Sequence, residues 1–176
     1  MKKKNKNKIQ AVFLDRDGTI NYDSGYTHKF SNFKFRPKVI DGLRFLSKKN
    51  FLIFIVTNQA GIAKGKFKLS DLNKLHMKLK EFLKKKNITV NEIQYCPYHP
   101  KAIIKKYQKI TNLRKPGNLM IKNILKKWNV DLKRSFMLGD MPSDKLAAKR
   151  SNLYFEYVKS NFLQQVKKIE KKISNY

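Results

Sequence analysis

Apolar residues fall into two kinds of pattern that take turns along the chain. Mostly continuous runs at residues 9–15, 51–56, 88–95, 135–138 and 153–158 read as strands. The run at 51–56 is apolar on every position and rich in β-branched residues, as for a strand buried on both faces. Between the runs, apolar residues recur at helical spacing. Val39, Ile40, Leu43, Phe45 and Leu46 mark a helix to about residue 49, with Pro37 at a plausible first helical position. Leu72, Leu75, Met77, Leu79, Phe82 and Leu83 mark a second, with Ser70 as its expected N-cap. Residues 118–128, 143–150 and 161–173 complete the helical set. This alternation predicts a single α/β domain over residues 9–176, built as a Rossmann-like three-layer sandwich around a mainly parallel sheet. Residues 1–8 read as a basic solvated tail, and residues 96–116, with Pro97, Pro100 and Pro116, as a long loop.

In such sheets, ligands collect outside the carboxyl ends of the strands. Three strand ends carry polar groups: Asp15, Thr57-Asn58 and Asp140. The first is the most unusual. Asp15-Arg16-Asp17-Gly18-Thr19-Ile20 places two carboxylates two residues apart at a strand exit. Desolvated acids repel each other and call for a cation or a shared proton.

Composition narrows the partners. The 176 residues carry 41 Lys+Arg against 12 Asp+Glu, a formal net charge of +29. Lysine far outnumbers arginine, and asparagine, isoleucine and phenylalanine are abundant, which reads as compositional drift spread over the surface. A dedicated nucleic-acid surface would draw more on the bidentate fork of arginine. The one cysteine, Cys96, excludes an internal disulfide and fits a reducing compartment. Residues 1–8 have no apolar stretch behind them of the kind a signal peptide needs, and no apolar run is long enough to span a bilayer. The expectation is a cytoplasmic protein, probed by a small molecule rather than by membrane or specific nucleic acid.

Metal-assisted phosphoryl transfer explains the acidic pair. It needs an in-line nucleophile, a proton for the leaving oxygen and cations against the non-bridging oxygens. Asp15 suits the nucleophile and Asp17 the general acid/base. Mg²⁺ would take Asp15, a backbone carbonyl and Asp140, with Asp144 holding Asp140 or a metal-bound water in place. Thr57 and Asn58 would donate to the phosphate, Lys115 would neutralise it, and Arg114 would be free for a second anionic group.

Asp15-x-Asp17-x-Thr19, Thr57, Lys115 and Gly139-Asp140-x-x-x-Asp144 resemble, in order, the four motifs of the haloacid dehalogenase-like (HAD) phosphatases. The segments 15–21, 25–28, 56–65, 95–100 and 114–116 narrow the resemblance to the D,D-heptose 1,7-bisphosphate phosphatases and the related histidinol-phosphate phosphatases. It runs from about residue 9 to 150. It implies a HAD fold with a minimal cap made of loops 20–36, 61–69 and 96–114. It also implies Asp15 as nucleophile and Asp17 as acid/base. Mg²⁺ would sit on Asp15, the Asp17 carbonyl and Asp140, and Lys115 on the transferred phosphate. Arg114, Tyr26 and His28 would contact a phosphorylated sugar. The substrate implied is D-glycero-D-manno-heptose 1,7-bisphosphate, losing its C7 phosphate on the way to the lipopolysaccharide core, in a monomeric enzyme. Histidinol phosphate and nucleic-acid 3′-phosphates are the alternatives, and a non-enzymatic polyanion-binding module is the reading from another class.

One departure from that group concerns zinc. Its members commonly hold structural Zn²⁺ by C-x-H and C-x-C, which here fall on Cys96-Pro97-Tyr98 and Thr111-Asn112-Leu113. Cys96 alone remains, so no structural zinc is expected. The loop would instead pack through Ile103, Ile104, Tyr107 and Ile110. His99 is expected to be structural, Cys96 a small buried apolar group, and His76 a surface or edge residue of its helix.

Overall fold

The computed structural model describes residues 8–174; most of the basic segment 1–8 lies outside the described residues. Five strands, β1 (Ala11–Leu14), β2 (Leu52–Asn58), β3 (Val90–Cys96), β4 (Phe136–Gly139) and β5 (Tyr154–Tyr157), form one sheet in the order β3-β2-β1-β4-β5. All neighbours pair in parallel. Among the described residues six α-helices accompany them: α1 (Val39–Lys48), α2 (Ala60–Ala63), α3 (Leu69–Lys84), α4 (Leu119–Lys127), α5 (Pro142–Lys149) and α6 (Phe162–Ile173).

The period-2 geometry of a strand sorts β1 cleanly between two cores. Val12 and Leu14 face one side with Ile53, Ile55, Phe136 and Leu138, covered by apolar residues of α1, α3 and α6. Ala11 and Phe13 face the other with Phe54, Val56 and Met137, covered by α4 and α5. Both faces of the central strands are therefore dry, and each fully buried Phe or Leu contributes roughly 1.5–3 kcal/mol. The expected three-layer α/β sandwich is what forms. No helix among the described residues is long and apolar enough to cross a membrane.

Several local expectations are corrected. Ser70 lies inside α3, not at its cap: the helix starts at Leu69, and Asp71 reaches back to accept from Lys68 N at 2.9 Å. Pro37 stands in the turn before α1, because Lys38 adopts φ 61 and the helix opens at Val39. The stretch 61–69 is not all loop; Gly61, Ile62 and Ala63 belong to the short α2. Asn161, expected as the first residue of the last helix, instead caps α6, accepting from Gln164 N at 3.1 Å.

The loop 96–116 is held mainly by backbone. Ile103 N and Ile104 N donate to Ala63 O at 2.9 and 3.0 Å, and His99 N donates to Tyr107 O at 3.1 Å. Tyr107 packs against the core and lies 6.1 Å from the Tyr98 ring. Ile103 and Ile110 do not pack as expected; they are 78% and 88% exposed. His99 is structural, accepting from Lys101 N through Nδ1. Cys96 is buried.

The strand order places the site. The chain moves outward from β1 to β2 and β3, then returns to build β4 and β5 on the other side. β1 thus sits at the reversal point of the sheet, where the strand ends open a crevice. Asp15 follows directly on β1, flanked by β2 ending at Asn58 and β4 ending at Gly139.

Candidate active site

The backbone after β1 folds into a tight turn that presents both acids. Arg16 O accepts from Thr19 N, Ile20 N and Asn21 N at 3.3, 2.8 and 3.2 Å. Gly18 takes φ 82, and a Cβ there would collide with the Asp140 carboxylate. Glycine is required twice over, by the left-handed backbone and by the close approach. Gly139 serves the same end across the crevice, since a Cβ there would overlap Asp144.

A cleft of about 490 Å³ opens over the strand ends. Asp15, Asp17, Tyr26, Thr57, Asn58, Arg114, Lys115, Asp140 and Asp144, every expected site residue except His28, line it. Its centre is a buried lysine. Lys115 Nζ lies 2.6 Å from Asp15 Oδ1 and 2.6 Å from Asp144 Oδ1, and donates to Val56 O at 2.8 Å. Burial alone would lower the ammonium; Asp15 and Asp144 outweigh that and hold it above its usual range. Asp144 is 1% exposed and also accepts from Met141 N at 3.0 Å, so it starts α5 and anchors Lys115 together. Asp144 thus steadies the lysine while its carboxylate stays in the same cluster as Asp140.

Asp15, Asp140 and Asp144 bring carboxylate oxygens within 4.8 Å of one another. Burial raises the Asp15 carboxyl from 3.8 to about 7; Asp144 and Asp17 push the same way while Lys115 opposes. Burial and then Asp144 raise Asp140 as well. One ammonium among three desolvated acids leaves negative charge uncompensated. Hard oxygen donors at this spacing suit a small divalent cation. Asp140 is oriented for it by Thr19, whose Oγ1 donates to Oδ1 at 3.3 Å.

Asp17 is held differently. Arg16 reaches it through Nε at 3.1 Å and through Nη2 at 2.9 and 2.7 Å. Asn21 Nδ2 and Gln59 Nε2 donate at 2.9 and 2.8 Å. Gln59 also donates to Thr57 Oγ1 at 3.0 Å. That leaves the buried Thr57 hydroxyl its own proton to donate into the cleft.

Two expected contacts take other forms. Asn58 is committed to the backbone of Lys115: its Oδ1 accepts from Lys115 N at 3.0 Å and its Nδ2 donates to Lys115 O at 3.1 Å. It thereby positions the lysine with one of its two amide N–H groups and its carbonyl oxygen. His28 lies outside the cleft, stacked on Phe67 at 5.0 Å, with Nδ1 2.8 Å from Tyr26 O. It supports the loop that presents Tyr26, whose hydroxyl is 3.0 Å from Lys64 Nζ. Arg114 does face the cleft, and its Nη1 is buried without a hydrogen-bond partner among the described residues.

The expected three-loop rim is also redrawn. The segment after β1 contributes Asp23, Gly25 and Tyr26, stretch 61–69 contributes Gly61 and loop 96–114 contributes Arg114; Met141, Ser143 and Asp144 from the start of α5 are added on the other side. The flap over residues 21–35 is pinned by Tyr22 N to Lys34 O at 2.9 Å and by Phe30, Phe33 and Phe35 stacking with each other and with Phe82 of α3.

Sequence reasoning missed Arg16, Gln59 and His76. Arg16 is fully buried, and its Nη1 lies 3.1 Å from His76 Nε2. His76 is not a surface residue; it is 7% exposed, and burial followed by the Arg16 charge lowers its pKa from 6.5 to about 3. The unfolded chain therefore takes up this proton below pH 6.5 while the fold resists it until about pH 3. The stabilisation is complete above pH 6.5 and is lost as pH falls through that window. The stability difference between wild type and His76→Gln should shrink by up to about 4 kcal/mol from pH 7 to 3. Urea titrations across that range measure it, and parallel curves would contradict it.

Comparison with known proteins agrees with this geometry. The family described as polynucleotide kinase 3 phosphatase matches residues 10–174. The D-glycero-beta-D-manno-heptose-1,7-bisphosphate 7-phosphatase of Escherichia coli K12 is 38% identical over 145 residues, covering 82% of this chain and 76% of that protein. A structure from Mesorhizobium loti described as a HAD-like phosphatase superposes with TM-score 0.84 at 26% identity, covering 94% of this chain and 88% of that one. The D,D-heptose 1,7-bisphosphate phosphatase of B. bronchiseptica, complexed with magnesium and phosphate, shares the fold with TM-score 0.77 at 23% identity, covering 95% and 97%. With a match that runs from β1 through α6 and relatives above 30% identity over most of its length, the chain belongs to the polynucleotide kinase 3 phosphatase family of HAD-like phosphatases.

Proposed function

We propose that this protein is a Mg²⁺-dependent phosphatase that hydrolyses D-glycero-D-manno-heptose 1,7-bisphosphate at C7. The observation that carries the chemistry is Lys115 bridging Asp15 and Asp144 at the floor of a carboxylate-lined cleft. The substrate follows the printed names of relatives at 38% identity.

In this reading Asp15, the Asp17 carbonyl and Asp140 would hold Mg²⁺, which would offset charge on the phosphate. Asp15 attacks phosphorus through a carboxylate oxygen. The P–O bond to the sugar breaks, its electron pair stays on the leaving oxygen, and Asp17 gives that oxygen a proton. Asp17 then takes a proton from water, whose oxygen attacks the phosphorus of the aspartyl-phosphate and regenerates Asp15. Lys115 and Thr57 bind the transferred phosphoryl group. Arg114, which lines the cleft, would grip a second anionic group such as the remaining phosphate. The same reading takes the enzyme as a cytoplasmic monomer without a specific nucleic-acid partner.

A second reading has a specific observation behind it: the matching family is described by a polynucleotide 3-phosphatase, and the chain carries +29. Phosphate release from heptose 1,7-bisphosphate, histidinol phosphate and a 3′-phosphorylated oligonucleotide tests all three. The expected order puts the heptose bisphosphate at least about 100-fold ahead in kcat/KM, a gap of nearly 3 kcal/mol. EDTA should abolish turnover and excess Mg²⁺ restore it. Turnover that survives EDTA would refute the metal assignment, and a preferred oligonucleotide would refute the substrate.

A further inference from the structure

We propose that His76 and Arg16 are positioning residues for Asp17, forming a buried brace from α3 that fixes the acid for proton transfer to the leaving oxygen. The proposal rests on the reading of Asp17 as acid/base given above.

The brace is built from atoms that have few other places to go. The Arg16 side chain is 0% exposed, while that of Asp17 keeps 19% exposure in the wall of the cleft. Both Asp17 oxygens are gripped by the guanidinium, and the same Nη2 also meets Thr27 O at 2.8 Å and Gln59 Oε1 at 3.3 Å. The far amino group, Nη1, meets His76 Nε2 at 3.1 Å. A guanidinium can only donate, so His76 must present a lone pair at Nε2 and carry its proton on Nδ1. Its depressed pKa keeps it in that neutral state.

His76 has no place in the cleft itself. It stands 60 residues from Arg16, among the buried positions of α3, with its ring 5.8 Å from Tyr95. Removing its acceptor would leave Nη1 with a buried, unpaired N–H and free the guanidinium to rotate. Asp17 would then be held only by Asn21 and Gln59 and lose its two-point grip, while Asp15, Lys115 and Asp144 keep their arrangement. General acids are sensitive to such placement, because a shift of about 1 Å can cost 10²-fold in rate.

The consequence is selective. A poor alkoxide leaving group needs the proton from Asp17; p-nitrophenolate leaves without it. The test measures single-turnover release of the leaving group from the Mg²⁺-loaded full chain. Its substrates are p-nitrophenyl phosphate and whichever alkyl phosphate of the assay above is turned over. His76→Leu should slow alcohol release about tenfold, part of the roughly 10²–10⁴-fold that a general acid supplies. Nitrophenolate release should change less than about twofold, and KM for both likewise. His76→Gln, which restores an acceptor, should recover most of the alcohol rate. If His76→Leu does not fold, His76→Asn reads the same split, its amide being too short to reach Arg16. Equal loss on both substrates, a loss confined to KM, or no loss would overturn the proposal and leave His76 a packing residue. Asp17→Asn separates the two levels. If it shows the substrate split and the His76 variants do not, the brace fails and the acid assignment stands. If it shows no split, the acid assignment and the brace fall together.

Discussion

Asp15→Asn is expected to lower turnover by at least about 10⁴-fold, some 5–6 kcal/mol of transition-state stabilisation, while leaving the fold intact. The amide keeps the size of the side chain but cannot attack phosphorus as an anion. It also removes one of three acids that crowd within 4.8 Å. Because burial raises the Asp15 carboxyl to about 7, the ionised group destabilises the metal-free fold. That penalty is absent below about pH 4, where the carboxyl is protonated folded or unfolded, grows up to about pH 7 and stays constant above. Metal-free Asp15→Asn should accordingly melt no lower than wild type at pH 8. Adding Mg²⁺ should raise the melting temperature of wild type by several degrees and of the variant by much less, since a ligand stabilises only as far as its site survives. Turnover within about tenfold of wild type would sink the nucleophile assignment. An unchanged Mg²⁺ shift would sink the metal role.

Much of this site was legible because its signals are local. An apolar run ending in an acid, repeated at Asp15 and Asp140, marks a strand exit whatever the rest of the chain does. Lys115 stood out by its neighbours Arg114 and Pro116. Arg16 had no such signal. In a chain with 41 Lys+Arg, a basic residue between two acids reads as solvated, yet this one is fully buried. What buries it is long-range: His76 from α3, Gln59 after β2 and the Thr27 carbonyl from the flap all converge on it. His76 was misread for the same reason, since its partner lies 60 residues away. Asn58 was placed correctly at its strand end, but its partner, the backbone of Lys115, is 57 residues distant. Ile103 and Ile110 failed in the opposite direction. Apolar character suggested packing, but the loop is satisfied by backbone bonds to Ala63 and leaves both side chains to solvent.

Lys115→Met is the variant expected to cost both stability and rate. The methionine fills a similar volume but carries no charge, so Asp15 and the 1%-exposed Asp144 face each other without a cation between them, and Val56 O loses its donor. Breaking one side of a buried ion pair typically costs about 3–5 kcal/mol, because the stranded charge remains desolvated. For a chain of this size that corresponds to a fall in melting temperature of roughly 6–20 °C without metal. Turnover should fall by about 10³-fold or more, since the transferred phosphoryl group loses its fixed cation. A double-mutant cycle with Asp15→Asn separates the ion pair from mere packing. If the carboxylates are what the lysine stabilises, the double variant should recover about 1–3 kcal/mol relative to the sum of the single changes, because only Asp144 is then left stranded. Additive costs would mean that Lys115 acts by filling space. Recovery of stability without recovery of turnover is the expected outcome, because the same ammonium serves the fold through Asp144 and the reaction through Asp15.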